Sequence, residues 1–166
     1  LANERIQNNN GNIAAFIAEP IIGCGGQVPL PKTYLKNIYP EIRKQGGLCI
    51  SDEVQVGFGR LGEYFWGYEM YDVIPDIIIL GKPIGNGHPM AAVVTTEEIS
   101  NSFNNGMEFF SSFGGNPVSC AIGQAVLDVL EEEELPKKAQ LVGQYLKQEL
   151  KTLQTQHKEL ADIRGE

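Results

Sequence analysis

Three short apolar runs punctuate the first eighty residues, at 13–18, at 48–52 and at Ile77–Leu80, each bounded by glycine, proline or an acid. Runs this short and rich in β-branched residues read as buried strands. A fourth run, 91–95, follows the third after only Pro83, Gly85, Gly87 and Pro89. That connection is too short for a helical crossover, which predicts an antiparallel neighbour. Between the first two runs, Leu35, Ile38 and Ile42 recur at near-helical spacing behind Pro31 and Thr33. They predict a helix closed by Gly46-Gly47, which Pro40 should kink or split. Strand, helix, strand in this order implies a right-handed crossover. Polar, Asn-rich residues 1–12 predict a helix end or a loose lead-in, and aromatic-rich 55–67 an ordered loop on the sheet edge. After the glycine turn at 112–117, two long helices are expected at about 117–134 and 136–155. The fold class is α/β, a mostly parallel sheet flanked by helices.

Composition narrows the function classes. With 42% apolar and 20% charged residues the chain reads as soluble and globular. A formal charge of −8 argues against a phosphate-tracking nucleic-acid surface. Part of it sits in Glu131 to Glu134, read as a solvated helix end. Cys24, Cys49 and Cys120 are odd in number and lack metal-ligand spacing, so reduced thiols, a cytoplasmic location and no metal are expected. No apolar run is long enough to span a bilayer and no signal peptide is legible, so no membrane partner is expected. Leu1 is not Met, and 162–166 stop as though a strand were about to begin, so a piece of a longer protein is expected.

The chemistry concentrates at two strand ends. One apolar run leads through Ser51 into Asp52-Glu53, the other through Gly81 into Lys82. In such sheets ligands sit outside the carboxyl ends of the strands, so one acid and one amine are aimed at the same edge. An enzyme using pyridoxal phosphate needs that pair, a carboxylate to keep the pyridine nitrogen protonated and a lysine to form the Schiff base. Lysine rarely closes a buried strand unless paired, and burial would favour the neutral amine that imine chemistry needs. Blander readings are a loop carboxylate for Asp52 and a snorkelling strand end for Lys82. A nucleotide site, with Asp52 on Mg²⁺ and Glu53 polarising water, needs a G-x-x-x-x-G-K cradle, but Asp76 stands where its first glycine should be. Of the rest, His88 reads as a locally bonded turn residue, Arg60 as a loop anchor and His157 as solvated.

Asp52-Glu53-Val54-Gln55-Val56-Gly57-Phe58-Gly59-Arg60 resembles the cofactor motif of class III, ω-type aminotransferases. So do 81–89 and 112–117, with Ala18-Glu19-Pro20 upstream, in the family's order. The resemblance implies the large domain of fold type I, with 1–155 its second half and 156–166 the start of a small C-terminal domain. It implies that Asp52 pairs with the pyridine nitrogen of pyridoxal phosphate, Val54 packs on a ring face and Gln55 reaches the phenolic oxygen. Lys82 would be the Schiff-base lysine and then the proton shuttle. Ser112, where the family usually has Thr, would contact the phosphate of the neighbouring subunit's cofactor in a homodimer with shared active sites. Glu19 would stand near the substrate pocket. The implied activity moves an amino group from an amine or ω-amino acid to a 2-oxo acid, with this chain inactive alone. Cys24-Gly25-Gly26-Gln27 and Phe65-Trp66 resemble a subgroup of phospho-lyases acting on phosphorylated amino alcohols such as ethanolamine phosphate. A non-catalytic scaffold has no use for Asp52, Gln55 and Lys82 together.

Overall fold

A computed structural model of the chain describes residues 2–9 and 12–166. In chain order the elements are α1 (Ala2–Gln7), β1 (Ala15–Ala18), a small antiparallel pair β2 (Ile21–Ile22) and β3 (Val28–Pro29), α2 (Tyr34–Lys44), β4 (Leu48–Asp52), β5 (Ile77–Leu80), β6 (Ala92–Thr95), α3 (Glu97–Phe103), α4 (Pro117–Glu132) and α5 (Leu135–Gln156). Short 3₁₀ turns occupy Gly67–Tyr71 and Lys82–Ile84.

The main sheet has the order β1-β4-β5-β6. Its first three strands are parallel, and β6 runs antiparallel to β5 from Ile77 opposite Thr95 to Leu80 opposite Ala92. The short glycine-proline connection thus makes the hairpin-like return that its length demands.

Helix α2 covers one face of this sheet. Leu35, Ile38, Tyr39 and Ile42 are buried with Cys49 of β4, Tyr71 and Ile6. The helix runs through Pro40 without splitting, so of the two outcomes expected at that proline, a kink or a split, the split does not occur. Pro40 and Lys36, whose carbonyl Pro40 cannot serve, both lie on the exposed side, where water can replace the missing donor. The buried stripe on the other side holds the helix together. Gly46, at φ +77, ends it in the left-handed region, and Gly47 N–H closes back on Ile42 O at 3.1 Å.

Two elements escaped the periodicity. The β2–β3 pair is two residues long on each side, too short for alternation to register. Helix α3 carries no buried residue, so it has no apolar stripe; its start is marked instead by Thr96, whose Oγ1 accepts from Ile99 N at 3.4 Å. Helix α4 starts at Asn116, whose Oδ1 accepts from Ser119 N at 2.9 Å. Glu134, at φ +49, turns the chain between α4 and α5. Among the described residues, no helix is long and apolar enough to cross a membrane.

Candidate active site

Parallel pairing brings the two strand ends together. Asp52, the last residue of β4, is level with Ile79 of β5, and Glu53 N–H extends the ladder by one rung to Ile79 O at 3.0 Å. Lys82 lies two residues beyond Leu80, at the same carboxyl edge. Asp52 is half-buried and its Oδ1 accepts from Val54 N at 3.1 Å, which fixes the carboxylate at the start of the turn. Among the described residues no ion pair joins Asp52 to Lys82. Lys82 Nζ instead donates to Gln55 Oε1 at 2.6 Å.

Lys82 is exposed, which corrects the expectation that it ends a buried strand. The strand stops at Leu80, and Lys82 opens a 3₁₀ turn that carries its side chain out past the edge. Between them Gly81 is extended, and a Cβ there would meet both methyls of Val54 at 3.3 Å. Val54 therefore lies across the Gly81 backbone.

Glu19 joins this group from β1's end. Its Oε2 accepts from Gly23 N at 3.1 Å. A Cβ on Gly23 would stand 3.2 Å from both Glu19 Oε2 and Gln55 Cγ. Glu19, Gln55 and Lys82 thus form one chain of neighbours around the glycine. Ser112 does not belong to it. It is exposed in the loop between α3 and α4, and no hydrogen bond joins it to Asp52, Gln55 or Lys82.

His88 bonds locally, as its turn position suggested, with its N–H on Gly85 O at 2.9 Å, but its ring reaches farther. Its Nε2 pairs with Ser119 Oγ at 2.8 Å, 31 residues on. Asn116 Nδ2 donates to that same oxygen at 2.9 Å and to Phe113 O at 2.6 Å. The turn that follows Lys82 is therefore tied to the loop carrying Ser112. Arg60, read as an anchor, is exposed and makes no hydrogen bond or ion pair to the described residues. It lines an open cavity of about 350 Å³ with Lys82, Asn86 and His88. A larger apolar cavity of about 590 Å³ adjoins it, sharing Arg60, Pro83 and Asn86 and extending between Phe58, Gly59 and helices α4 and α5.

Two acids to which the resemblance assigns no role hold the frame of the site. Glu53 is fully buried and accepts from Ser51 Oγ (2.8 Å), Tyr68 N (3.0 Å) and Gly67 N (2.6 Å). Burial pushes its carboxyl above the usual carboxylate range, against the pull of those hydrogen bonds. Asp76, just before β5, accepts from Cys49 N at 2.7 Å and from Arg43 Nη2 at 2.9 Å. The only sequence signal for Glu53 is its place between Asp52 and Val54, since both of its backbone partners lie fourteen or more residues away.

The edge thus offers a carboxylate, an amide, an apolar branched side chain and an amine, with the glycine backbone at Gly23 and Gly81 letting Glu19, Gln55 and Val54 pack close. Three comparisons bear on what it holds. The family model described as aminotransferase class-III matches residues 2–166. Human mitochondrial alanine–glyoxylate aminotransferase 2 is 50% identical over 154 residues, 93% of this chain and 30% of the relative. An ethanolamine-phosphate phospho-lyase homolog of Caenorhabditis elegans is 42% identical over 162 residues, 96% of this chain and 35% of the relative. Among solved structures, a phospholyase from Arthrobacter in complex with phosphoethanolamine superposes with a TM-score of 0.93 at 40% identity, covering 99% of this chain and 40% of that one. The chain spans about a third of the length of the curated relatives it matches.

Proposed function

The chain belongs to the class-III aminotransferase family, and from that premise we propose that the protein moves an amino group from an amine or ω-amino acid to a 2-oxo acid. The family depends on pyridoxal phosphate, and the donor set at the sheet edge fits it. One observation carries the reading: Asp52 at the end of β4 and Lys82 just past the end of the parallel strand β5 lie at one edge, with Gln55 bonded to the lysine at 2.6 Å. When bound, the cofactor supplies an electron sink for a carbanion at the substrate Cα.

Each residue then has a task. Asp52, half-buried and oriented by Val54 N–H, keeps a proton on the ring nitrogen. Val54, lying across Gly81, covers one ring face. Gln55 presents Oε1 to Lys82, which leaves its Nε2 to donate to the phenolic oxygen. Lys82 holds the cofactor through Nζ and, once free, moves a proton at the substrate Cα. Glu19, beside Gln55 across Gly23, borders the substrate pocket. Ser112 serves the phosphate across the interface of a homodimer, consistent with its exposure and the lack of a hydrogen bond to the chain's own cluster. In domain terms, 1–155 form part of the cofactor-binding large domain and 156–166 lead into a smaller one, so the 166 residues alone hold the cofactor poorly. The cysteines favour a cytoplasmic location; the mitochondrial name of the human relative makes an organelle the alternative.

In the full-length protein, the visible absorbance of bound cofactor should disappear in Lys82→Ala, along with amino transfer to a 2-oxo acid. Retention of both would refute the reading. The superposition on the Arthrobacter phospholyase favours a second activity on the same site. Phosphate release from ethanolamine phosphate without any 2-oxo acid would select it.

A further inference from the structure

The chemistry above makes no use of Glu53, yet this carboxylate is fully buried beside Asp52. Its Oε1 accepts from Ser51 Oγ and Tyr68 N, and its Oε2 from Gly67 N. Those bonds fix the Gly67–Tyr68 segment at a place where there is no slack. A Cβ on Gly67 would meet Val56 Cγ2 at 2.6 Å and Pro20 Cβ and Cγ at 2.9 Å. Val56 follows Gln55, and Pro20 follows Glu19, so the segment wedges between the two stretches that carry those side chains. The backbone of Glu53 closes the same turn, with Glu53 N–H on Ile79 O and Gly57 N–H on Glu53 O at 2.9 Å. Gln55 lies inside that turn.

We infer that Glu53 is a positioning residue, whose carboxylate holds Gly67–Tyr68 against Val56 and Pro20 and thereby fixes Gln55 beside Lys82. The inference rests on the pyridoxal-phosphate reading of the edge, and its test separates the two.

An amide at position 53 cannot accept from both backbone donors, because in either orientation its NH₂ faces one of the N–H groups. In the full-length protein, Glu53→Gln should raise the dissociation constant for pyridoxal phosphate roughly tenfold, or about 1.4 kcal/mol. In a Gln55→Ala background the same change should raise it less than about twofold, since the side chain it positions is gone. The visible absorption maximum of the bound cofactor should shift in Glu53→Gln in the direction seen in Gln55→Ala. Ser51→Ala removes one donor and leaves both backbone contacts, so it keeps the fold if Glu53→Gln does not. Its smaller loss of affinity should likewise vanish with Gln55→Ala. Additive losses in the double variants, or no loss in Glu53→Gln, would overturn the inference alone. A wild-type protein that takes up no pyridoxal phosphate would overturn the functional reading first.

Discussion

Asp76→Ala should destabilise the protein far more than a surface ion pair can explain. The Asp76 carboxylate does two jobs. Toward solvent it takes the Arg43 guanidinium, with Nη2 at 2.9 Å and Nε at 3.2 and 3.3 Å from its two oxygens, while Arg43 stays 42% exposed. A pair so open contributes about 0.2–1 kcal/mol. Toward the core it accepts from Cys49 N at 2.7 Å, and Cys49 is fully buried in β4. Leaving that N–H unpaired costs about 1–3 kcal/mol. The sum is about 1–4 kcal/mol, most of it from the buried donor. Asp76→Asn separates the parts, because its amide oxygen can still accept from Cys49 while the charge is lost, so its cost should stay near 1 kcal/mol. Urea unfolding of both variants beside the wild type measures this, with the shift in midpoint converted through a common slope. Equal losses for Ala and Asn would place the stability in the ion pair and refute the argument. So would a loss below about 0.5 kcal/mol for Ala, the ordinary range of surface substitutions. A labelling assay adds an independent view: burial pushes the Cys49 thiol up to about 11, while Cys24 and Cys120 are exposed. At mildly alkaline pH two thiols should react at once and the third only on opening, faster in Asp76→Ala.

Asp52→Ala in the full-length protein should lower kcat far more than it weakens substrate binding, since its charge is needed where carbanion character develops; steady-state kinetics with an unchanged kcat would remove it from the mechanism. Gly85→Ala should loosen the turn behind Lys82, because a Cβ there would stand 2.1 Å from His88 O. Overpacking of this kind costs roughly 1–3 kcal/mol, and a thermal midpoint and cofactor occupancy equal to wild type would contradict it. Glu53 should give an unusual pH signature. Its folded carboxyl binds a proton more tightly than the unfolded one, so its contribution to stability is full below the unfolded value and falls as pH rises through the folded one. The stability of wild type minus that of Glu53→Gln should therefore grow on acidification from neutral pH toward 4.5, and a difference that shrinks would refute the assignment.

What was legible in the sequence was what depends on near neighbours. Ile77, Ile78 and Ile79 ahead of Gly81 announce a strand, although only Leu80 of it is buried, and the spacing from Lys82 to 91–95 dictates its antiparallel partner. Asp52 and Lys82 stand out because polar chemistry at the end of an apolar run is locally visible. What was not legible depends on partners far along the chain. Glu53 is defined by N–H groups at 67 and 68, Asp76 by Cys49 and Arg43, and His88 by Ser119. Local reading missed these partners, because the groups that meet them come together only after the sheet forms. The course of α2 through Pro40 has the same origin, since it is fixed by Tyr39 and Ile42 in the core.

The backbone at Lys82 adds an argument that owes nothing to resemblance. Its φ of +38 lies in the left-handed region, where a side chain other than glycine, asparagine or aspartate costs about 1–2 kcal/mol. Glycine would sit there freely, and the turn itself asks for nothing more. Gly85 and Asn86 N–H close on the Lys82 carbonyl at 3.3 and 3.2 Å, bonds that involve only main-chain atoms. Pro83 follows, buried and preset for the turn. Fold stability alone would favour glycine at position 82, and the exposed lysine side chain gains too little from packing to offset the strain. Its one polar contact among the described residues, with Gln55, joins two residues of the same edge. A strained lysine that contributes little to the fold, aimed at the end of a neighbouring strand that bears a carboxylate, is best accounted for by what its amine does there.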